Sequence, residues 1–203
     1  MYQERTRTVF VGIASSLILS ACASVNPAGL IAASRLDPVN TAPAEIAVAL
    51  GVPETLRLRD GDAVFRIVFE SEDPDARSLV DETVPLLVRQ IDDSGPLPSA
   101  AGEIVYTARF APEDAVRIAE AQAKIRAFRA QGIEGQGTLG VMVDGGCVAG
   151  PALGALPVST WLQTNPEAGF VNLTRRQDVF KTLDERNAKA LRAQLAPCDD
   201  QGG

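Results

Sequence analysis

Histidine is missing from this chain, and its absence decides most of the chemistry open to the side chains that remain. Without imidazole there is no Ser-His-Asp or Cys-His relay and no His-ligated zinc or copper. There is also no imidazole switch between about pH 5 and 8. Carboxylates are plentiful, with 26 Asp and Glu against 19 Lys and Arg. Two of them at a suitable separation suffice for glycoside hydrolysis, but no pair stands out as buried by its sequence context. Glu70, Glu72, Asp73 and Asp75 cluster around Pro74. Calcium favours such oxygens, yet the spacing is not that of an EF-hand loop, and a solvated turn fits it better. The catalytic patterns S-x-x-K, K-T-G and G-x-S-x-G do not occur.

Gly135-Gln136-Gly137-Thr138-Leu139-Gly140 matches G-x-G-x-x-G. A dinucleotide fingerprint follows a strand and opens a helix, whereas this one follows a helical pattern and opens a strand-like one. Its glycines read as loop and strand-entry positions, so no cofactor is expected. Trp161 lies between Ser159 and Gln163 on alternate positions. A tryptophan with polar neighbours can mark a binding face, although such a residue more often fills a core or its rim.

Cys22 stands in a different context. Arg5 and Arg7 precede an apolar stretch of 11 residues, Val9 to Leu19, which is too short to span a bilayer. It runs into Leu19-Ser20-Ala21-Cys22. This order resembles the signal and lipobox of bacterial lipoproteins: an aliphatic residue, two small residues and a cysteine. The resemblance implies that residues 1–21 are a cleaved signal peptide. It also implies that Cys22 becomes the first residue of the mature chain, with a diacylglyceryl group on its sulfur and usually a further acyl group on its amine. Two or more chains hold a protein stably on a membrane, where one holds it only marginally. Ala23 and Ser24 lack the aspartate that retains lipoproteins in the inner membrane of enteric-type bacteria, which implies an outer-membrane address facing the periplasm. The Asn172-Leu173-Thr174 sequon carries no weight in such a protein.

Cleavage leaves Cys147 and Cys198. An even pair in an oxidising compartment points to one disulfide, which pins the C-terminal tail. A catalytic thiol would lack its histidine partner. The mature chain keeps 17 basic and 25 acidic side chains, a net charge of −8 once Arg5, Arg7 and Glu4 are removed. That charge repels phosphate backbones and anionic headgroups, so nucleic acid is excluded as a partner and membrane attachment is left to the lipid at Cys22.

These residues need a scaffold. Residues 22–29 read as a short tether and 30–203 as one globular domain. Asn26-Pro27 suggests a short helix ended by Asp37-Pro38. Period-2 alternation predicts strands over 45–50, 63–70, 83–91 and 103–110, with Ile46, Val48 and Leu50 sharing one face of the first. Residues 112–130 predict the longest helix: Pro112, Glu113 and Asp114 suit its start, and Ile118, Ala121, Ile125 and Phe128 form one stripe. Further strands are expected over 138–143, 156–164 and 170–174, then a helix over 183–195. The early connections are too short for parallel crossovers. The expected fold is therefore α+β: an antiparallel sheet or sandwich with one long inserted helix (112–130) and a C-terminal helix.

The leading functional expectation is a non-catalytic structural or protein-interaction domain with an envelope protein partner. A small-molecule or lipid carrier is the alternative, its cleft near the Gly145–Gly154 segment and Trp161. A carboxylate-dependent envelope hydrolase is a third. Carboxylates about 5–9 Å apart in a cleft mark the hydrolase. A deep apolar cavity of roughly 300 Å³ or more marks the carrier, and neither feature, with an exposed apolar patch of several hundred Å², marks a partner-binding domain.

Overall fold

The computed structural model describes residues 36–73, 78–91 and 97–198. The signal sequence, Cys22, the tether and most of the short helix expected after Asn26 lie outside the described residues.

The fold is α+β. Seven strands form one curled antiparallel sheet in the order β6-β3-β4-β5-β1-β8-β9. They are β1 (Ala47–Pro53), β3 (Ala63–Ser71), β4 (Ser78–Ile91), β5 (Glu103–Phe110), β6 (Gly135–Val143), β8 (Pro157–Gln163) and β9 (Val171–Asp178). A second, small sheet places β7 (Gly146–Val148) between β2 (Leu56–Arg57) and β10 (Leu195–Pro197), with β10 parallel to β7. The helices are α1 (Pro112–Ala130), the single turn α2 (Val179–Thr182) and α3 (Glu185–Gln194).

Alternation builds the sheet. Phe65, Ile67 and Phe69 of β3 point inward with Val84, Leu86 and Val88 of β4. Gly61, at φ +92°, supplies the left-handed residue of the turn that leads into β3. Proline, two carboxylates and an extended N-cap open α1. Gly132 (φ +77°) closes it, with the N–H groups of Gly132 and Ile133 bonding back to the Arg129 and Phe128 carbonyls. Ile118, Ala121 and Ile125 bury against the sheet, chiefly on β4, at about 1.5–3 kcal/mol for each isoleucine. Arg117 anchors the same helix by bonding Asp114, Glu82 and the Thr83 carbonyl. Gln122 donates to the Pro38 and Thr41 carbonyls and so fastens the segment before β1.

Several expectations change. Residues 46–50 are all buried, so β1 hides both faces instead of one: it lies mid-sheet, and small Ala49 and Gly51 fit beneath an outer cluster. Strand β4 begins at Ser78, not Thr83, and β6 takes in the whole glycine motif as strand. Part of the glycine-rich loop after Asp144 is strand β7, and β9 runs on to Asp178. The C-terminal helix is divided, since Asp184 caps α3 by accepting the Asn187 N–H.

Candidate functional site

Ser159, Trp161 and Gln163 do share the outer face of β8, but they do not form an open binding face. Ser159 is 1% and Trp161 2% exposed. Trp161 packs with Ala49, Leu97 and Val105 in a second small core, flanked by Ile91 and Phe170. The outer face of the central strands is apolar enough to need this cover. The Ser159 hydroxyl accepts the Arg176 N–H, and Gln163 donates to the Pro166 carbonyl of its own hairpin loop. The indole N–H of Trp161 and one carboxylate oxygen of Glu103 are buried and unpartnered among the described residues. The other Glu103 oxygen accepts the Ala100 N–H at 2.8 Å, and this side chain lies over Gly51.

Cys147 and Cys198 form a disulfide, with Cα atoms 4.7 Å apart. Cys147 sits in β7. Cys198 follows β10, which pairs with β7, and its N–H bonds the Val148 carbonyl. The bridge thus fastens the chain end, directly after α3, to the small sheet. The Cys147 sulfur lies 3.8 Å from an Arg59 guanidinium nitrogen.

A groove opens between the two edges of the sheet. One bank is the end of β6 (Val141, Met142, Val143) with Asp144 after it, and the other is Val158 and Thr160 of β8 with Thr174 and Gln177 of β9. Leu183, Asn187, Leu191 and Gln194 make the third wall, giving a space of about 500 Å³. Arg192 stacks on Phe180, 4.0 Å from the ring centre, and holds α3 to α2 behind that wall. The Thr160 and Thr174 hydroxyls bond each other at 2.7 Å. The lining is mostly aliphatic with a rim of amides, and among the described residues it includes one carboxylate and no cation. Trp161 is not part of it, so the cleft lies away from the position expected for it. Gly146 of β7 and Gly145 just before it line a neighbouring polar cavity of about 440 Å³, together with Arg59, Asp62 and Asp144.

The two ends of the sheet differ. Strand β9 is bulged twice: Ser159 faces both Arg175 and Arg176 between the Val158–Gln177 and Thr160–Thr174 pairs, and Leu173 is extra in the next step. Arg176 has φ +47°, a left-handed conformation unusual for arginine. Strand β6 runs against β3 through nine register pairs without a bulge, and it contains no proline and no charge.

Many of the carboxylates have structural tasks. Asp62 accepts the Arg59 N–H and closes its turn, and Asp60 accepts the Val88 N–H and the Arg89 guanidinium. The Arg66 guanidinium, hydrogen-bonded to Asp81, holds that carboxyl below the usual carboxylate range, opposite to what a proton donor needs. Among the described residues no group of three or more Cys, Asp or Glu could hold a metal ion. Also among them, no helix is long and apolar enough to cross a membrane.

Comparison with known proteins finds no matching protein family, curated protein or solved structure.

Proposed function

We propose that this chain is a lipid-anchored envelope lipoprotein whose domain holds a partner protein without catalysing a reaction. In this reading residues 1–21 are removed and Cys22 carries the lipid, on the outer membrane facing the periplasm. The observation that carries the partner-binding role is the open seam of the sheet, where the neutral edge β6 borders an aliphatic groove. An edge strand presents unpaired backbone N–H and C=O groups, which natural proteins usually guard with charge, proline or bulges. Among the described residues β9 carries two bulges, whereas β6 has no bulge, charge or proline of its own.

A carrier of small apolar molecules is the second reading, favoured by a groove volume of about 500 Å³. A photo-crosslinking side chain placed at Met142, 41% exposed on β6, separates the two in intact cells. The partner-protein reading expects a discrete protein adduct that is absent when the same group replaces Val116, 57% exposed on α1. Adducts to lipid alone, or identical adducts from both positions, would overturn it. For the anchor, Cys22→Ser should abolish incorporation of labelled fatty acid, and continued labelling would sink the lipobox assignment.

A further inference from the structure

We infer that β6 is the docking strand for one extended peptide segment, uncharged through its middle and basic at its ends, which adds to the sheet and lays alternate side chains over the seam groove. This deepens the partner-binding reading and rests on it.

Among the described residues β6 pairs with β3 and with no other strand, so along nine residues its other side has no strand partner there. Nothing on it resists pairing: Gly135–Val143 has no charge and no proline, and it has no bulge against β3. The opposite edge of the same sheet supplies the contrast, for β9 carries two bulges and the exposed pair Arg175 and Arg176. An incoming strand therefore adds at β6.

Side chains then set the chemistry. On β6, Thr138 and Met142 face outward, whereas Leu139, Val141 and Val143 face in. An added strand alternates in the same way, so the peptide's inward side chains opposite Val141 and Val143, the part of β6 that lines the groove, meet the aliphatic wall of Val141, Leu183 and Leu191. The amides of Gln177, Asn187 and Gln194 on the rim can bond a peptide backbone. Among the described residues no cation lines the groove, which disfavours a fatty acid or phospholipid as its occupant.

Charge at the two ends of β6 selects the ends of the peptide. Glu70 and Glu72 border Gly135, and the Glu72 N–H bonds the carbonyl of Glu134. At the other end Asp62 and Asp144 outnumber Arg59. Of the cations along the strand, Arg66 is paired with Asp81, while Arg129, over the ring of Phe69, keeps its charge beside Gly137, so the acidic character is confined to the two ends. The same charges argue against a second copy. Antiparallel pairing of two β6 strands would set the Glu70 end of one against the Asp144 end of the other.

The test uses the full-length protein in neutral detergent and two labelled octapeptides of alternating Val and Thr, one ending in lysines and its twin in glutamates. Fluorescence anisotropy should show saturable binding of the lysine peptide, and at least about tenfold weaker binding of the glutamate peptide at low salt. Hydrogen exchange should slow over residues 135–143 and stay unchanged over 171–178. The Thr138→Lys/Met142→Lys variant alters two exposed side chains and should melt like the parent. It should lose about tenfold for the lysine peptide and gain for its twin. The inference is overturned by no saturable binding up to about 1 mM, by equal affinity for the twins, or by protection at 171–178 instead. Protection of β6 in a peptide-free dimer, or phospholipid retained in the groove by native mass spectrometry, also overturns it. If the peptides fail while the Met142 crosslinker still captures a protein, the strand inference falls and the partner-binding reading stands.

Discussion

Replacing Cys147 and Cys198 together by alanine measures how much of the stability resides in the unfolded chain instead of in native packing. The bridge joins residues 51 apart in sequence. In the chain-entropy account, closing a loop of that length removes about 14 cal/mol/K from the unfolded ensemble, or about 4 kcal/mol at 25 °C. At about 2–4 °C per kcal/mol for a domain of this size, Tm should fall by about 8–16 °C. The double substitution removes little packing by comparison, since Cys147 is a small buried residue at the edge of the core and Cys198 lies at the chain end. The urea m-value should rise, because an uncrosslinked chain exposes more surface when it unfolds. Trp161 is the one tryptophan of the sequence and is buried, so its fluorescence reports the transition without a label. Reducing the parent protein should reproduce the variant, and intact mass should rise by about two hydrogens on reduction. An unchanged midpoint together with an unchanged m-value would refute the argument, for it would mean that the tail is held without the bridge and that closure costs nothing.

Other substitutions test the geometry directly. A Cβ at Gly135 would lie 2.3 Å from the Glu70 carbonyl oxygen and 2.9 Å from the Phe69 ring, so Gly135→Ala should cost about 1–3 kcal/mol. Nothing lies within 4 Å of a Cβ at Gly140, so Gly140→Ala should be neutral or stabilising by up to about 1 kcal/mol in urea unfolding. Equal effects would contradict the packing of β6. Asp81→Asn probes the pair with Arg66, whose side chains are 43% and 45% exposed. The folded pKa of Asp81 is lowered, so its contribution exists above the unfolded value and is lost as pH falls through the folded one. The variant should be less stable by under about 1 kcal/mol at pH 7, and the gap should close in acid below about pH 4 and in high salt. A gap that persisted at pH 2 would exclude that origin. Ile118→Ala, at the fully buried centre of α1, should cost about 2–5 kcal/mol, and a loss below about 1 kcal/mol would show that α1 does not hold the core.

Local periodicity made much of the scaffold readable. The stripe of α1 and the alternation of β3 and β5 depend on neighbours within a turn or two of chain, and they stand where the pattern places them. Glycine hid the start of β6, because a residue without a side chain cannot alternate. Small residues hid the second buried face of β1: Ala49 and Gly51 resemble a permissive outer row until Trp161 and Glu103 cover them. The cysteine pair was readable from an even count left after Cys22, and the bridge is present. The groove had no local signal. Its walls come from residues 141–144, 158–160, 174–179 and 182–194, which meet only when the sheet curls. The sequence leaves Trp161 between a binding face and a core or rim, because its cover, Leu97 and Phe170, lies far from it or in a loop.

Strand β1 enters the sheet with β5 on one side and β8 on the other. Its second neighbour lies more than a hundred residues downstream, so the first described strand cannot complete its pairing until Pro157–Gln163 is available. A chain emerging from its N-terminus can join β3, β4 and β5 through neighbouring connections early, while β1 waits half-paired. Non-local pairing of this kind slows folding and leaves an apolar strand edge open in the interval. The middle of the sheet is thus among the last parts to be sealed, and this chain has a long window in which a chaperone, or a second unfolded copy, can reach Ile46–Val52.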